Sequence, residues 1–292
     1  MRLLQVICLL CLVCGVRGAD QTPVSPLKAP GIENAFQLTD KVLSGGTPES
    51  EAAFKALAEL GVRTIISVDG GRPDVEAARK HGLRYIHLPM GYNGAFGTNA
   101  VAIALAGSAT DGKVFVHCHH GMHRGPAAAA VICQANGNWT PAEAAAWLRK
   151  AGTSSDYPGL YRMVEVFKPT PQELANSKLT NFPEVVETPG IVSAMVDIDA
   201  HWDALKPLLK AGDLKATAKQ VEAATLLAEA YRELLRDPAT QQRDTDFQAL
   251  LKHSERAAWD AHAQLRTNAA NARPALEKLG ATCSDCHKKF RN

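Results

Sequence analysis

The chain holds 292 residues, 46% of them hydrophobic and 21% charged, with a formal net charge of +2. That length points to two domains, each able to bury a core, and the composition is that of an ordinary globular protein. The nearly balanced charge excludes a polycation built for nucleic acid or an anionic membrane, and no apolar run past the N-terminus reaches the ~20 residues of a membrane span.

Residues 1–18 open with Arg2, continue through a short apolar run and end at Gly18, the pattern of a secretory signal peptide. Leu12 and Val13 ahead of Cys14 argue against a lipid anchor there, so cleavage is placed near Gly18. Loss of Arg2 and Arg17 takes the net charge from +2 to 0 and leaves Cys118, Cys133, Cys283 and Cys286. The mature protein is expected to be exported and periplasmic, without a membrane span.

From 31 to 168, β-branched runs at Arg63 to Val68, Leu83 to Leu88 and Val114 to Val116 alternate with helical patterns at Glu51 to Leu60, Ala100 to Ala109 and Pro126 to Ala135. Such alternation predicts an α/β domain with a parallel-rich sheet. Residues 169–189 carry Pro169, Pro171, Pro183 and Pro189 with little periodicity and read as a linker.

From 190 to 292 the pattern is purely helical. The stripes are Ile191, Met195, Ile198, Trp202 and Leu205; Leu214, Ala218, Val221, Thr225, Ala228, Tyr231 and Leu235; Phe247, Leu250, Ser254, Ala258, Ala261 and Leu265; and Leu276, Leu279, Cys283, Cys286 and Phe290. Short breaks between them predict an all-α antiparallel four-helix bundle.

Two motifs carry chemistry. Cys283-Ser284-Asp285-Cys286-His287 has the spacing for two thioethers to haem, with the adjoining imidazole on the iron. The expected cofactor is therefore one covalent haem c, attached through Cys283 and Cys286 with His287 as iron ligand. A redox cysteine pair, half a zinc site or a disulfide is disfavoured by the neighbouring His and the lack of a second Cys pair.

The second motif is His117-Cys118-His119-His120-Gly121-Met122-His123-Arg124-Gly125-Pro126, between a strand and an alanine-rich helix. Cys118 and Arg124, six apart around a glycine, permit a loop of N–H groups at a helix N-terminus that holds an anion and favours a thiolate. His119, His120, Gly121, Met122 and His123 form that phosphate-binding loop, and Arg124 grips two phosphoryl oxygens. A metal site built on the four histidines ranks below this reading, and Cys133 is taken as a buried structural thiol.

Residues 190–292 resemble cytochrome c prime and related four-helix monohaem cytochromes, on the strength of the late Cys283 to His287 motif. The resemblance implies His287 as proximal ligand and places Met195 at the distal position, as a sixth ligand or as a packing residue. His201, His253 and His262 are read as surface or boundary residues. The bundle implies a redox partner protein and offers a face for dimerisation.

Residues 31–168 resemble the cysteine-dependent tyrosine and dual-specificity phosphatases, through His117-Cys118 to Arg124 with support from Leu43 to Pro48, Leu60 to Asp69 and Tyr85 to Pro89. That implies attack of Cys118 on phosphorus, transition-state stabilisation by Arg124 and a phosphocysteine intermediate. The substrate would be a phosphorylated small molecule or a phosphoprotein.

Two departures stand out. Gly125 replaces the family's Ser or Thr, and the loop Met90 to Asn99, where an acidic Asp is usual, contains no carboxylate. Asp69, at the end of a strand whose edge it shares with Cys118, is the substitute acid; His119, His120 and His123 either donate protons or only shape the pocket. The alternative to an enzyme is an electron-transfer or haem-sensing protein whose first domain binds an anion or partner without catalysis.

Overall fold

The computed structural model describes residues 23–290, apart from 109, 170, 178, 180, 188, 189, 212 and 213. The expected signal segment, 1–18, lies outside the described residues.

The strands are β1 (Ser25–Pro26), β2 (Phe36–Gln37), β3 (Val42–Gly45), β4 (Val62–Ser67), β5 (Arg84–His87) and β6 (Lys113–His117). The helices of the same half are α1 (Glu51–Glu59), α2 (Val75–Lys80), α3 (Thr98–Ser108), α4 (Arg124–Ala135), α5 (Pro141–Ala151) and α6 (Pro158–Val166). One sheet runs β1-β2-β3-β6-β4-β5, parallel from β3 to β5 and antiparallel at the β1-β2 end. The α/β class with a parallel-rich sheet is thus as expected, and the fold takes in Ser25–Pro26, ahead of residue 31.

Strand residues alternate between faces. The register row Leu43, Phe115, Ile65, Tyr85 faces α1 and α2, while Val116, Ile66 and Ile86, one position on, pack with α3 to α6. The last row, Gly45, His117, Ser67 and His87, ends the sheet at its carboxyl edge, where ligands bind in open α/β sheets. Behind it α4 is buried from Arg124 to Cys133, its alanines letting the sheet and neighbouring helices approach closely.

The stretch read as a linker is partly built into this half. It contains a short helix, α7 (Pro171–Asn176), after which Phe182 is buried in the core and the Pro183 carbonyl accepts from the β5 edge at His87 N–H, 2.8 Å. Val186 N–H donates to His87 Nδ1 at 3.0 Å, and Arg79 pairs with Glu184 at 2.9 Å. An open sheet edge leaves backbone groups unpaired, and this segment covers them.

The second half consists of α8 (Ile191–Lys210), α9 (Ala218–Arg236), the short α10 (Pro238–Gln241), α11 (Thr245–Thr267) and α12 (Arg273–Phe290). The four long helices pack in ring order α8-α9-α11-α12, the expected bundle. Thr217 and Gln220 form a reciprocal capping box on α9, Asp244 caps α11, and Arg273 ties the start of α12 to the Leu209 and Ala211 carbonyls ending α8. Two stripe positions shift by one residue: Leu234 and Leu251 are buried, where Leu235 and Leu250 were expected, and Ala218, expected on the second stripe, is exposed in the first turn of α9. Among the described residues no helix is long and apolar enough to cross a membrane.

Candidate anion site and haem cavity

β6 ends at His117, Cys118 follows almost fully buried, and the chain turns through 119–123 into α4. The loop's carbonyls are tied back from outside. Thr47 donates to His119 O at 2.9 Å through its N–H and to Cys118 O at 3.4 Å through its hydroxyl. Asn34 Nδ2 donates to Gly121 O at 2.9 Å and the Thr153 hydroxyl to Met122 O at 2.7 Å. In a planar trans peptide the next N–H points opposite to the carbonyl, so these amides turn toward the loop interior at the positive end of α4.

Gly121 has φ +67, and a Cβ there would lie 2.2 Å from the Gly45 carbonyl carbon, so only glycine makes this turn. A Cβ on Gly125 would approach the Cys118 backbone nitrogen to 2.9 Å. α4 therefore packs too close to the cysteine for a hydroxyl residue at 125 without a backbone shift.

Asp69 follows β4 and emerges beside Cys118's loop, as expected from its strand. Arg124 Nη2 lies 2.8 Å from Asp69 Oδ1, and Nη1 lies 3.5 Å from the Met90 carbonyl. The guanidinium sits over the Tyr92 ring, 4.3 Å from its centre, and Tyr92 stacks on Tyr157 at 4.9 Å.

Two further members come from α9 and were not anticipated. Glu233 Oε1 is 2.6 Å from Arg124 Nη2, while Arg236 bonds Asp69 and lies 3.1 Å from Glu233. Asp69, Arg124, Glu233 and Arg236 thus close a four-membered ring of alternating charge across the two halves. One turn earlier, the Tyr157 hydroxyl donates to Glu229 at 2.7 Å, and Asp156 pairs with Arg266 at 2.9 Å and His262 at 3.5 Å. His262, read as a surface or boundary residue, is therefore buried in the contact between the halves.

The electrostatics revise the proton donors expected from sequence. Burial alone would raise the Asp69 pKa, but Arg124 and Arg236 outweigh it and hold the carboxyl at about 2. Asp69 is thus an ionised partner of Arg124 and a poor acid. Burial lowers His123 to about 4 and also lowers His119, so both are neutral at neutral pH. His120 is exposed, 3.6 Å from Glu33, and Met122 is also exposed.

His87 is another residue that sequence reasoning passed over. Its Nδ1 accepts from Val186 N–H, which leaves Nε2 to donate to the Asp69 carbonyl at 2.9 Å. It pins the end of β4 to the covering segment. Cys133 is buried, and that burial pushes its thiol above the ordinary range, in keeping with an inert structural role.

In the helical half, Cys283, Cys286 and His287 fall at helical spacings of three and four, hence on one face of α12. They line a cavity of about 670 Å³ whose other walls include Met195 and Trp202 of α8, Tyr231 of α9, and Phe247 and Phe290. Both cysteines are free thiols, and the Tyr231 hydroxyl lies 3.3 Å from Cys283 Sγ. Trp202 lies against Gly280, where a Cβ would come within 3.0 Å of its ring. Two thiols and an imidazole on one wall of a largely apolar chamber fit a c-type haem. Met195 faces the same chamber from α8, the neighbouring helix, while His201 lines a different space.

Residues 173–291 match the family model of Cytochrome C'. The match spans the helical half and begins inside the stretch read as linker. For the α/β half, the P. aeruginosa TpbA crystal structure is similar at 20% identity, covering 48% of this chain and 87% of that one with a TM-score of 0.42. A structure of P. aeruginosa TpbA in complex with pTyr has 16% identity, coverages of 55% and 99% and a TM-score of 0.46. A putative phosphatase from Shewanella putrefaciens CN-32 has 20% identity, coverages of 50% and 90% and a TM-score of 0.38. No curated protein matches the chain.

Proposed function

We propose that the chain is an exported c-type cytochrome joined to a cysteine-dependent phosphatase that acts on phosphate monoesters. The observation that carries the phosphatase reading is an orphan: Arg124 Nε is buried with no hydrogen-bond partner, beside a loop whose Cys118, His119, Gly121 and Met122 carbonyls are bonded from outside. Buried donors are rarely left unmet, and a phosphoryl group in the loop would take Nε and Nη2 together.

In the first step Cys118 Sγ forms a bond to phosphorus as the bond from phosphorus to the ester oxygen breaks, and that oxygen departs with the bonding pair as a phenolate or alkoxide. Water then displaces the thiolate, releasing inorganic phosphate. With Asp69 ionised and His119 and His123 neutral, leaving groups that depart without a proton are favoured, so phenolic esters precede alkyl esters.

In the helical half Cys283 and Cys286 would hold the haem vinyl groups and His287 its iron. A bound haem supplies one-electron chemistry or a sensing site, with a redox protein as its partner. Met195, which lines the same cavity, would either bind the iron or pack beside the group.

The test is hydrolysis of an aryl phosphate and an alkyl phosphate by the haem-loaded protein and by Cys118→Ser. Aryl turnover lost in Cys118→Ser supports the enzyme. No turnover above that background, on aryl esters and phosphopeptides alike, leaves the second reading: a haem protein whose α/β half binds an anion or partner without catalysis. The contact of Arg124 with Glu233 is what favours that reading.

A further inference from the structure

Glu233 occupies an Arg124 donor that the phosphatase reading assigns to substrate. Its Oε1 takes Arg124 Nη2 at 2.6 Å, from a helix 109 residues along the chain. The carboxylate is wedged against the end of β4, since a Cβ on Gly70 would meet Glu233 Oε2 at 2.7 Å. Arg236, one turn on, holds both Asp69 and Glu233, and Tyr92 covers the guanidinium from the other side. Arg124 and Cys118 are each left only 3% exposed.

The fit is nevertheless incomplete. Glu233 Oε2 and Arg124 Nε are both buried without partners, so the carboxylate uses one edge of the guanidinium where a phosphoryl group would use two donors.

We infer that Glu233 is a built-in competitor of phosphate, and that α9 latches the phosphoryl site shut until Glu233 leaves Arg124. The inference rests on the reading of the Cys118 loop as a phosphoryl site. A site whose competent state is a minor population binds its ligand more weakly by that fraction, so releasing the latch strengthens binding with no new contact. The latch belongs to the same helix as Tyr231, which lines the cysteine-walled cavity.

The experiment measures calorimetric binding of inorganic phosphate to the haem-loaded full chain, alongside aryl phosphate hydrolysis. Glu233→Gln keeps the shape and removes the charge. Gly70→Ala is an independent route, because its methyl group pushes the flexible end of Glu233 away while leaving every charge in place. Both are expected to lower the phosphate Kd by about tenfold or more. Adding Arg124→Gln to Glu233→Gln should abolish the gain.

Unchanged phosphate binding in both variants, with the fold retained, overturns the latch, and hydrolysis persisting in them would leave the phosphatase reading standing. Tightened binding without hydrolysis in any variant supports the latch and ends the phosphatase reading.

Discussion

In the helical half, the candidate ligands Cys283, Cys286 and His287 share one face of one helix and look into open space. In the α/β half, Cys118, Arg124 and Asp69 converge from β6, α4 and the end of β4, and α9 then fills the remaining room with Glu233 and Arg236. The first site is local and apolar and has space for a guest. The second is assembled at long range, polar and nearly closed by its own chain. A local site is broken by one substitution at its centre; a charge ring is damaged most by removing one member and least by removing complementary members together.

The largest effect belongs to the local site. Replacing Cys283 and Cys286 together with Ala should eliminate covalent haem, read as loss of haem-stained protein under denaturing conditions and of the haem mass. Covalent haem surviving in the double variant would break the comparison at its simplest side.

Arg124→Ala comes next. It leaves Asp69 and Glu233 facing each other with one cation between them, and breaking such a buried pair costs on the order of 3–5 kcal/mol. Urea unfolding of the α/β half should show that loss. Combining it with Glu233→Gln should be less than additive by about 1 kcal/mol or more, since the two residues share one contact. Additive losses would mean the ring is not a unit.

pH sharpens the contrast, because buried histidines cluster on the α/β side. His117 and His123 are both lowered by burial from 6.5 to about 4. The unfolded chain therefore takes up protons below about 6.5 while the folded one resists until about 4, so stability falls across that window. Each histidine contributes a loss of up to about 3 kcal/mol. Asp69, lowered from 3.8 to about 2, adds stability that is present above 3.8 and disappears as pH falls through that lower range. Thermal unfolding between pH 7 and 4 tests the histidines and its continuation to pH 2 tests Asp69, and His123→Gln should flatten the upper slope by up to one proton.

What could be read from the sequence follows the same local rule. The Cys283 to His287 face, the strand-loop-helix order around Cys118 and the shared edge of Asp69 all follow from short spacings. The one-residue shifts to Leu234 and Leu251 arise because both lie in adjacent leucine pairs, and spacings of three or four do not separate such neighbours. Glu229, Glu233 and Arg236 were illegible: on a helix surface such charges resemble a solvated face until the partner surface is known. Asp69 was placed correctly but its protonation was not, because that depends on Arg124 together with Arg236, 55 and 167 residues away. The covering of β5 by Pro183 and Val186 was hidden because it rests on backbone groups and one imidazole nitrogen, which leave no side-chain pattern.

The contact between the halves supplies the finest distinction. Tyr157→Phe removes one of two donors to buried Glu229 Oε1, leaving Arg232 at 3.2 Å, and should cost about 1 kcal/mol. Arg266 pairs with Asp156 in the same contact, but its side chain is 52% exposed, and exposed pairs are screened by water. Arg266→Ala should therefore cost no more than about 0.5 kcal/mol in the same unfolding assay. A large loss from Arg266→Ala with none from Tyr157→Phe would move the weight of the contact from the Arg124 ring to its rim, and the latch would then be held by surface charge and loosen with salt.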